Sequence, residues 1–306
     1  TPSLLHPSTA RGKCANHWTT DSILALRVPT SDAPVVLLGT GTPNADPARS
    51  GPSVAVVVNG TPYLVDAGPG VVRRAAAAHV AGLPALAVDR LNRVFVTHLH
   101  SDHTAGLPDL LLSPWVLGRK DPLEVHGPPG IAAMIDHIVA AYRQDIRQRL
   151  DGPQPANQTG WLAHVQEIEP GVVYQDAKVN VEAFPVEHGT WPAFGYRFHT
   201  PQRTIVISGD TSAPERNLGA YKGCDVLIHE VQSSAGLQRR SPAWQRYHAA
   251  MHTSARELAD VASRVRPGLL VLYHQLFHGV SERALLDEVR EGYDGPLVSG
   301  RDLDVY

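Results

Sequence analysis

Cysteine is nearly absent from the chain. Cys14 and Cys224 are its two, too few for a Cys-rich zinc site and enough for at most one disulfide. Because Cys224 stands beside the apolar run Val226-Leu227-Ile228, a buried free thiol is the expected state. No apolar run approaches the roughly 20 residues that a bilayer-spanning helix needs, so no membrane anchor is expected. A surplus of positive charge is missing too. The formal net charge of -3 argues against a polyanion as the main partner and leaves room for a local basic groove at most. What is present, 43% hydrophobic and 19% charged residues in a chain of 306, describes a soluble globular protein able to bury a large core.

Residues 1–34 are polar, rich in Pro, Ser and Thr, and without sustained periodicity, which reads as an extended arm laid over a main domain at 35–306. The chain opens on Thr1 rather than methionine, which fits removal of a signal or a tag. An exported or periplasmic location and a cytoplasmic one both stay open. From Val35 onward, short β runs alternate with helical segments. Strands are expected at Val35–Leu38, Val54–Val58, Tyr63–Val65, Val94–Val96 and Leu123–His126, then near 165–168, 172–174, 179–184, 194–198, 204–207, 226–229 and 269–273. Helices are expected at 71–81, at 107–117 with a proline interruption, at Ile131–Leu150 as one long amphipathic element, and at 254–265 and 282–291. Two β-rich halves, each carrying helices, predict two sheets packed face to face with helices outside. The polar stretch 151–160 reads as a lid or as an ordinary surface connection.

The most informative stretch is Thr97-His98-Leu99-His100-Ser101-Asp102-His103, directly after the apolar run Val94-Phe95-Val96. Period-2 alternation aims His98 and His100 the same way off a strand end, and a turn can bring Asp102 and His103 to a second metal beside the first. Neutral imidazoles and carboxylates suit zinc, and less specifically manganese or iron. One such motif fills only part of two coordination spheres, so further ligands are required downstream. His188, Asp210 and His274 each stand where an expected strand gives way to a turn, a place from which rigid elements can hold a site.

With Leu38-Gly-Thr-Gly41, Val65-Asp66-Ala-Gly68, Glu187-His188-Gly189, Phe194-Gly-Tyr-Arg197, Ser208-Gly-Asp-Thr211, His229-Glu230, His252-Thr-Ser254 and Tyr273-His274, the chain from about Val35 to Tyr306 resembles the metallo-β-lactamase superfamily. Within it, the chain is similar to the ribonuclease Z-like branch that also holds certain arylsulfatases and phosphodiesterases. The resemblance implies a four-layer αββα fold and a dinuclear zinc hydrolase. It puts His98, His100 and His188 on one metal, Asp102, His103 and His274 on the other, and Asp210 between them. It also makes His252 the proton donor to the leaving group, oriented by Glu230, with Asp102 counted among the catalytic groups. Asp66 would lie beneath the metals, the competing reading being a plain turn aspartate. His248 would share the face of His252 if a helix begins early enough. His229 reads as a supporting residue behind the ligands or a satisfied buried imidazole rather than a ligand, and His278 as either a pocket or a surface residue.

Two departures from the branch bear on substrate. The long arm that grips tRNA in bacterial ribonuclease Z is absent, because Gly195-Tyr196-Arg197-Phe198 is followed almost at once by the next strand. The basic PxKxRN loop stands here as Pro47-Ala48-Arg49-Ser50-Gly51-Pro52. Both favour a small phosphodiester or sulfate ester over tRNA. The segment Ile131–Trp161, with Trp115, Trp161, Trp191, Phe194 and Trp244, is expected to wall an apolar pocket, Trp191 being the best placed. A β-lactam or lactone hydrolase on the same metals, a tRNA 3′-processing endonuclease and an inactive metal-binding module are the alternatives. A homodimer is compatible with all of them.

Overall fold

The computed structural model describes residues 33–306, so the expected arm at 1–34 lies outside the described residues apart from its last two. Strands β1 (Val35–Gly39), β2 (Ser53–Val58), β3 (Thr61–Val65), β4 (Arg93–Phe95), β5 (Leu123–Gly127) and β6 (Ala163–Glu167) form one sheet in sequence order. Its first pairings are antiparallel and those from β3 to β6 parallel. Strands β7 (Gly171–Gln175), β8 (Asn180–Pro185), β9 (Phe194–His199), β10 (Thr204–Ile207), β11 (Val226–Gln232), β12 (Leu269–Leu276) and β13 (Leu297–Ser299) form the second sheet, antiparallel from β7 to β10 and parallel from β10 to β13.

Strand alternation sorts the apolar residues into three buried layers. Val35, Leu37, Val54, Val56, Phe95, Phe198, Ile205 and Ile228 meet between the sheets. Their neighbours Val36, Leu38, Ala55 and Val94 face helices Val71–Val80, Leu107–Val116 and Ile131–Ala141. On the far side, Val206, Leu227, Leu270 and Leu272 pack against helices Ala255–Val265 and Glu282–Arg290. The result is the αββα sandwich.

Three local features depart from expectation. Helix Leu107–Val116 runs through Pro114, which has no N–H to offer the Leu110 carbonyl four residues earlier. The buried Arg119 guanidinium supplies the missing donor at 3.0 Å and also bonds the carbonyls of Leu91, Leu111 and Gly160. An unsatisfied carbonyl there would cost about 1–3 kcal/mol. The helix expected over Ile131–Leu150 instead bends at Tyr142 into Ile131–Ala141 and Arg143–Asp151, with neither proline nor glycine to announce the break. A helix at Pro242–Met251, not expected beyond the question of His248, precedes His252.

Candidate metal centre and its cavity

The site lies where strand ends of both sheets meet. His98 and His100 follow β4, Asp102 and His103 occupy the short helix Ser101–Thr104, His188 follows β8 and Asp210 follows β10. His274 is the extra residue of a bulge in β12: Glu230 pairs with Tyr273 and Val231 with Gln275, which leaves His274 unpaired at φ 42°. Asp66, after β3, also takes a left-handed backbone, φ 61°. Two non-glycine residues in that region at one locus are a local strain that the surrounding packing sustains. Gly209 is required just before Asp210, because at φ 62° a Cβ would also meet the Phe194 carbonyl oxygen at 2.6 Å.

The ring nitrogens converge in two groups. His98 Nε2 and His188 Nε2 each lie 3.0 Å from His100 Nδ1. The outer nitrogens of the first two rings are committed elsewhere: His188 Nδ1–H donates to the Met251 carbonyl at 2.7 Å. His98 Nδ1 lies 3.0 Å from Thr97 Oγ1, whose own proton goes to Asp66. Both Nε2 atoms therefore carry bare lone pairs, and one proton on His100 could serve only one of them. Burial, with His103 adding to it, lowers the His98 pKa well below its ordinary value, and burial lowers that of His188 to about 4, so both rings are neutral.

In the second group, His103 Nε2 lies 3.5 Å from Asp102 Oδ2, and His274 Nε2 lies 3.2 Å from the same oxygen. Asp210 Oδ2 stands between the groups, 3.9 Å from His98 Nε2, 3.5 Å from His103 Nε2 and 3.6 Å from His274 Nε2. His103 Nδ1–H donates to Asp66 Oδ2 at 2.8 Å, and Asp66 also accepts the Thr97 N–H. Burial opposes ionisation of Asp210, but the surrounding imidazoles, His274 and His103 first, outweigh it and hold the carboxyl well below its usual range.

These residues fit a cation. His103 Nε2 and Asp210 Oδ1 are buried without any hydrogen-bond partner, and the ligand atoms of His98, His100 and His188, and of Asp102, His103 and His274, lie within 4.8 Å of one another in each group. Three buried carboxylates, Asp66, Asp102 and Asp210, also gather among these rings, and Asp210 and Asp102 raise the pKa of His103 and His274 against the burial that opposes it.

His252 ends helix Pro242–Met251. Its N–H bonds the His248 carbonyl, and its carbonyl accepts from Gln232 Nε2 at 2.8 Å. The next helix is capped by Ser254 through a capping box with Glu257, which leaves the His252 ring free of any capping duty. Its Nδ1 faces Glu230 Oε2 at 3.4 Å, out of line for a hydrogen bond, and Asp210 Oδ2 at 3.8 Å. Glu230 is buried, its other oxygen accepting the N–H groups of Thr211 and Thr253. Burial and the nearby Asp210 push its carboxyl well above the usual range. His229 turns away, bonding the Glu230 carbonyl and packing on Tyr221.

A cavity of about 550 Å³ opens on Asp102, Asp210, His252 and His274. Its wall corrects the expected one. Trp115 and Phe194 are buried in the core, Trp161 packs in the helical layer of the first sheet, and Trp191 lies over His100 without lining the cavity. Of the five aromatics only Trp244 lines it, joined by Arg49, Arg240, Tyr247, Phe277 and the two histidines left open, His248 and His278. Arg240, Tyr247 and Phe277 were missed, although the spacing of Trp244, His248 and His252 at four-residue steps was a signal for a helical wall.

The sequence profile of the β-lactamase superfamily domain matches residues 61–275. The chain belongs to the β-lactamase superfamily. As a member it is a metal-dependent hydrolase, and its relatives place it in the ribonuclease Z-like branch. The protein named ribonuclease Z of Mycobacterium sp. (strain KMS) is 36% identical over 252 residues, covering 79% of this chain and 84% of that one. Two solved structures share the superfamily fold. The metallo-β-lactamase fold protein YhfI from Bacillus subtilis has a TM-score of 0.68 at 16% identity, covering 90% of this chain and all of the other. The short form of human tRNase Z has a TM-score of 0.66 at 24% identity, covering 89% and 98%.

Proposed function

We propose that this superfamily hydrolase cleaves a small phosphodiester or sulfate ester, with two zinc ions as the resident metals and manganese or iron as substitutes. The observation that carries the reading is the 550 Å³ cavity, of small-molecule size, into which Asp102, Asp210, His252 and His274 face together. His98, His100 and His188 would hold one ion, Asp102, His103 and His274 the other, and Asp210 would be shared. When bound, such ions supply Lewis-acid charge and a nucleophile from water at neutral pH. The chain's part is to keep each ligand ring in one tautomer, through Thr97, Met251 and Asp66, and to hold it still. His252 would give a proton to the leaving oxygen, with Glu230, 3.4 Å from its Nδ1, orienting the ring.

A second reading, cleavage at the 3′ end of a tRNA precursor, draws support from the relatives named ribonuclease Z at 36% identity. Against it stands the turn between β9 and β10, where Thr200 bonds Arg203 across a tight connection and no arm extends. Parallel rates on bis(4-nitrophenyl) phosphate, 4-nitrophenyl sulfate, a chromogenic cephalosporin and a 3′-extended tRNA precursor separate the readings. Turnover of one of the first two is expected, with weak tRNA binding at moderate salt. Efficient site-specific tRNA cleavage without small-ester turnover would overturn the assignment, and cephalosporin turnover alone would move it to carbonyl chemistry. Silence on all four, with metals bound, would make the protein a binding module.

A further inference from the structure

Helix Pro242–Met251 buries one residue, Met251, and leaves two large aromatics in the open, Trp244 at 49% and Tyr247 at 46% exposure. A surface helix ordinarily turns such side chains to the core. Here they face a cavity instead. Trp244, His248 and His252 follow one another down one helical face, the first two rings stacked at 5.5 Å and the next pair 5.7 Å apart. His252 in turn stacks on His274 at 5.6 Å. The row thus runs from an exposed indole to the reacting centre, and all four rings line the same cavity. Phe277, with the Arg49 guanidinium 5.3 Å from its ring centre, lines it as well, and Arg240 lies 5.7 Å from the Trp244 ring centre.

We infer that Trp244 and Tyr247 form a stacking subsite for a planar aromatic group on the leaving side of the substrate, carried on a spacer of about sugar length, as a base is carried in a nucleoside. The inference rests on the reading of the centre as an ester hydrolase in which His252 protonates the leaving oxygen. His252 caps the helix that carries Trp244, so a leaving group departing past His252 extends along it. Two ring-to-ring steps separate the two residues. That is too far for an aryl ring bonded directly to the ester oxygen and suits a base held off by a sugar. An indole offers a flat face to any base at little entropic cost, and Arg240 beside it favours an electron-rich ring.

The test compares two ligands with the same phosphate, one with a base and one without. Binding of adenosine 5′-monophosphate and of ribose 5-phosphate to the zinc-loaded protein is measured by calorimetry. The base should tighten binding on the order of tenfold, the range of single-base stacking. Trp244→Ala should erase that preference and Trp244→Phe should keep part of it. Zinc content and circular dichroism show that each variant is folded, and Tyr247→Ala gives an independent probe of the same face. Equal affinity for the two phosphates in the unaltered protein, or a preference that survives both alanine substitutions, would overturn the inference. Wild-type turnover of bis(4-nitrophenyl) phosphate reports separately on the hydrolase reading. A protein that prefers the base through Trp244 yet cleaves no ester would keep the subsite and lose the proposed reaction.

Discussion

The floor of the cavity and its helical wall are built on opposite terms. On the floor, His98, His103, His188 and His274 are fully buried and stand just past strand ends, in the short helix Ser101–Thr104 or in a strand bulge. Three of them have the outer nitrogen committed to Thr97, Asp66 or Met251. The wall helix Pro242–Met251 is exposed over most of its length, and its C-terminal end is tied to the body by hydrogen bonds: Gln232 to the carbonyls of His248 and His252, His188 to that of Met251 and the Gly189 N–H to that of Ala250. Groups that must stay within fractions of an ångström of one another are carried on rigid, buried elements, whereas groups that meet a substrate can ride on an open surface. His252 belongs to both regions, since it closes the wall helix and reaches the floor.

The largest test of this contrast is Asp210→Ala. Its Oδ2 lies within 4 Å of His98, His103, His252 and His274, so its loss should empty both proposed metal positions and take activity to background. His188→Ala should weaken chiefly one. Elemental analysis of reloaded protein decides, and an Asp210→Ala variant that keeps one ion at full occupancy would rule out a shared ligand. His252→Ala should act differently, because the ring stands at the end of the wall. Metal content should remain, while turnover falls on the order of 10²–10⁴-fold through loss of the proton donor. The defect should shrink for nitrophenyl esters, whose leaving oxygen needs little protonation. Equal losses for good and poor leaving groups would make His252 a packing residue.

The same contrast explains what could be read from the sequence. Much of the floor was legible because metal chemistry restricts residue type and spacing: HxHxDH past a strand end, then His188 and Asp210 past later strand ends, whereas His274, expected at a strand end, sits in a bulge inside β12, which continues to Leu276. The sheets were legible because Val35-Val36-Leu37-Leu38 and its counterparts are apolar on both faces, as strands between two layers must be. The wall was not. Arg240, Tyr247 and Phe277 obey no such restriction, and an exposed Trp or Tyr looks in sequence like a core residue. The continuity of Leu107–Val116 through Pro114 was hidden for another reason, since the donor that rescues Leu110 comes from Arg119, beyond the helix end. Nor did composition reveal the bend at Tyr142.

A smaller and sharper test reaches the floor without touching any proposed ligand. Asp66 accepts the Thr97 N–H at 2.8 Å and the His103 Nδ1–H at 2.8 Å, which commits Nδ1 and points His103 Nε2 at Asp102 and Asp210. Asp66→Asn is well chosen, because asparagine tolerates the φ of 61° that most residues resist. With its oxygen kept on the Thr97 N–H, the new amide turns an N–H toward His103 Nδ1. The ring must then carry its proton on Nε2, the atom that would bind metal. Metal affinity should fall about 10- to 100-fold, the usual cost of losing such a partner, with the metal-free protein still folded. Competition against a chelating dye measures the first and thermal unfolding the second. An unchanged affinity would make Asp66 a turn residue alone and would leave the orientation of His103 to packing.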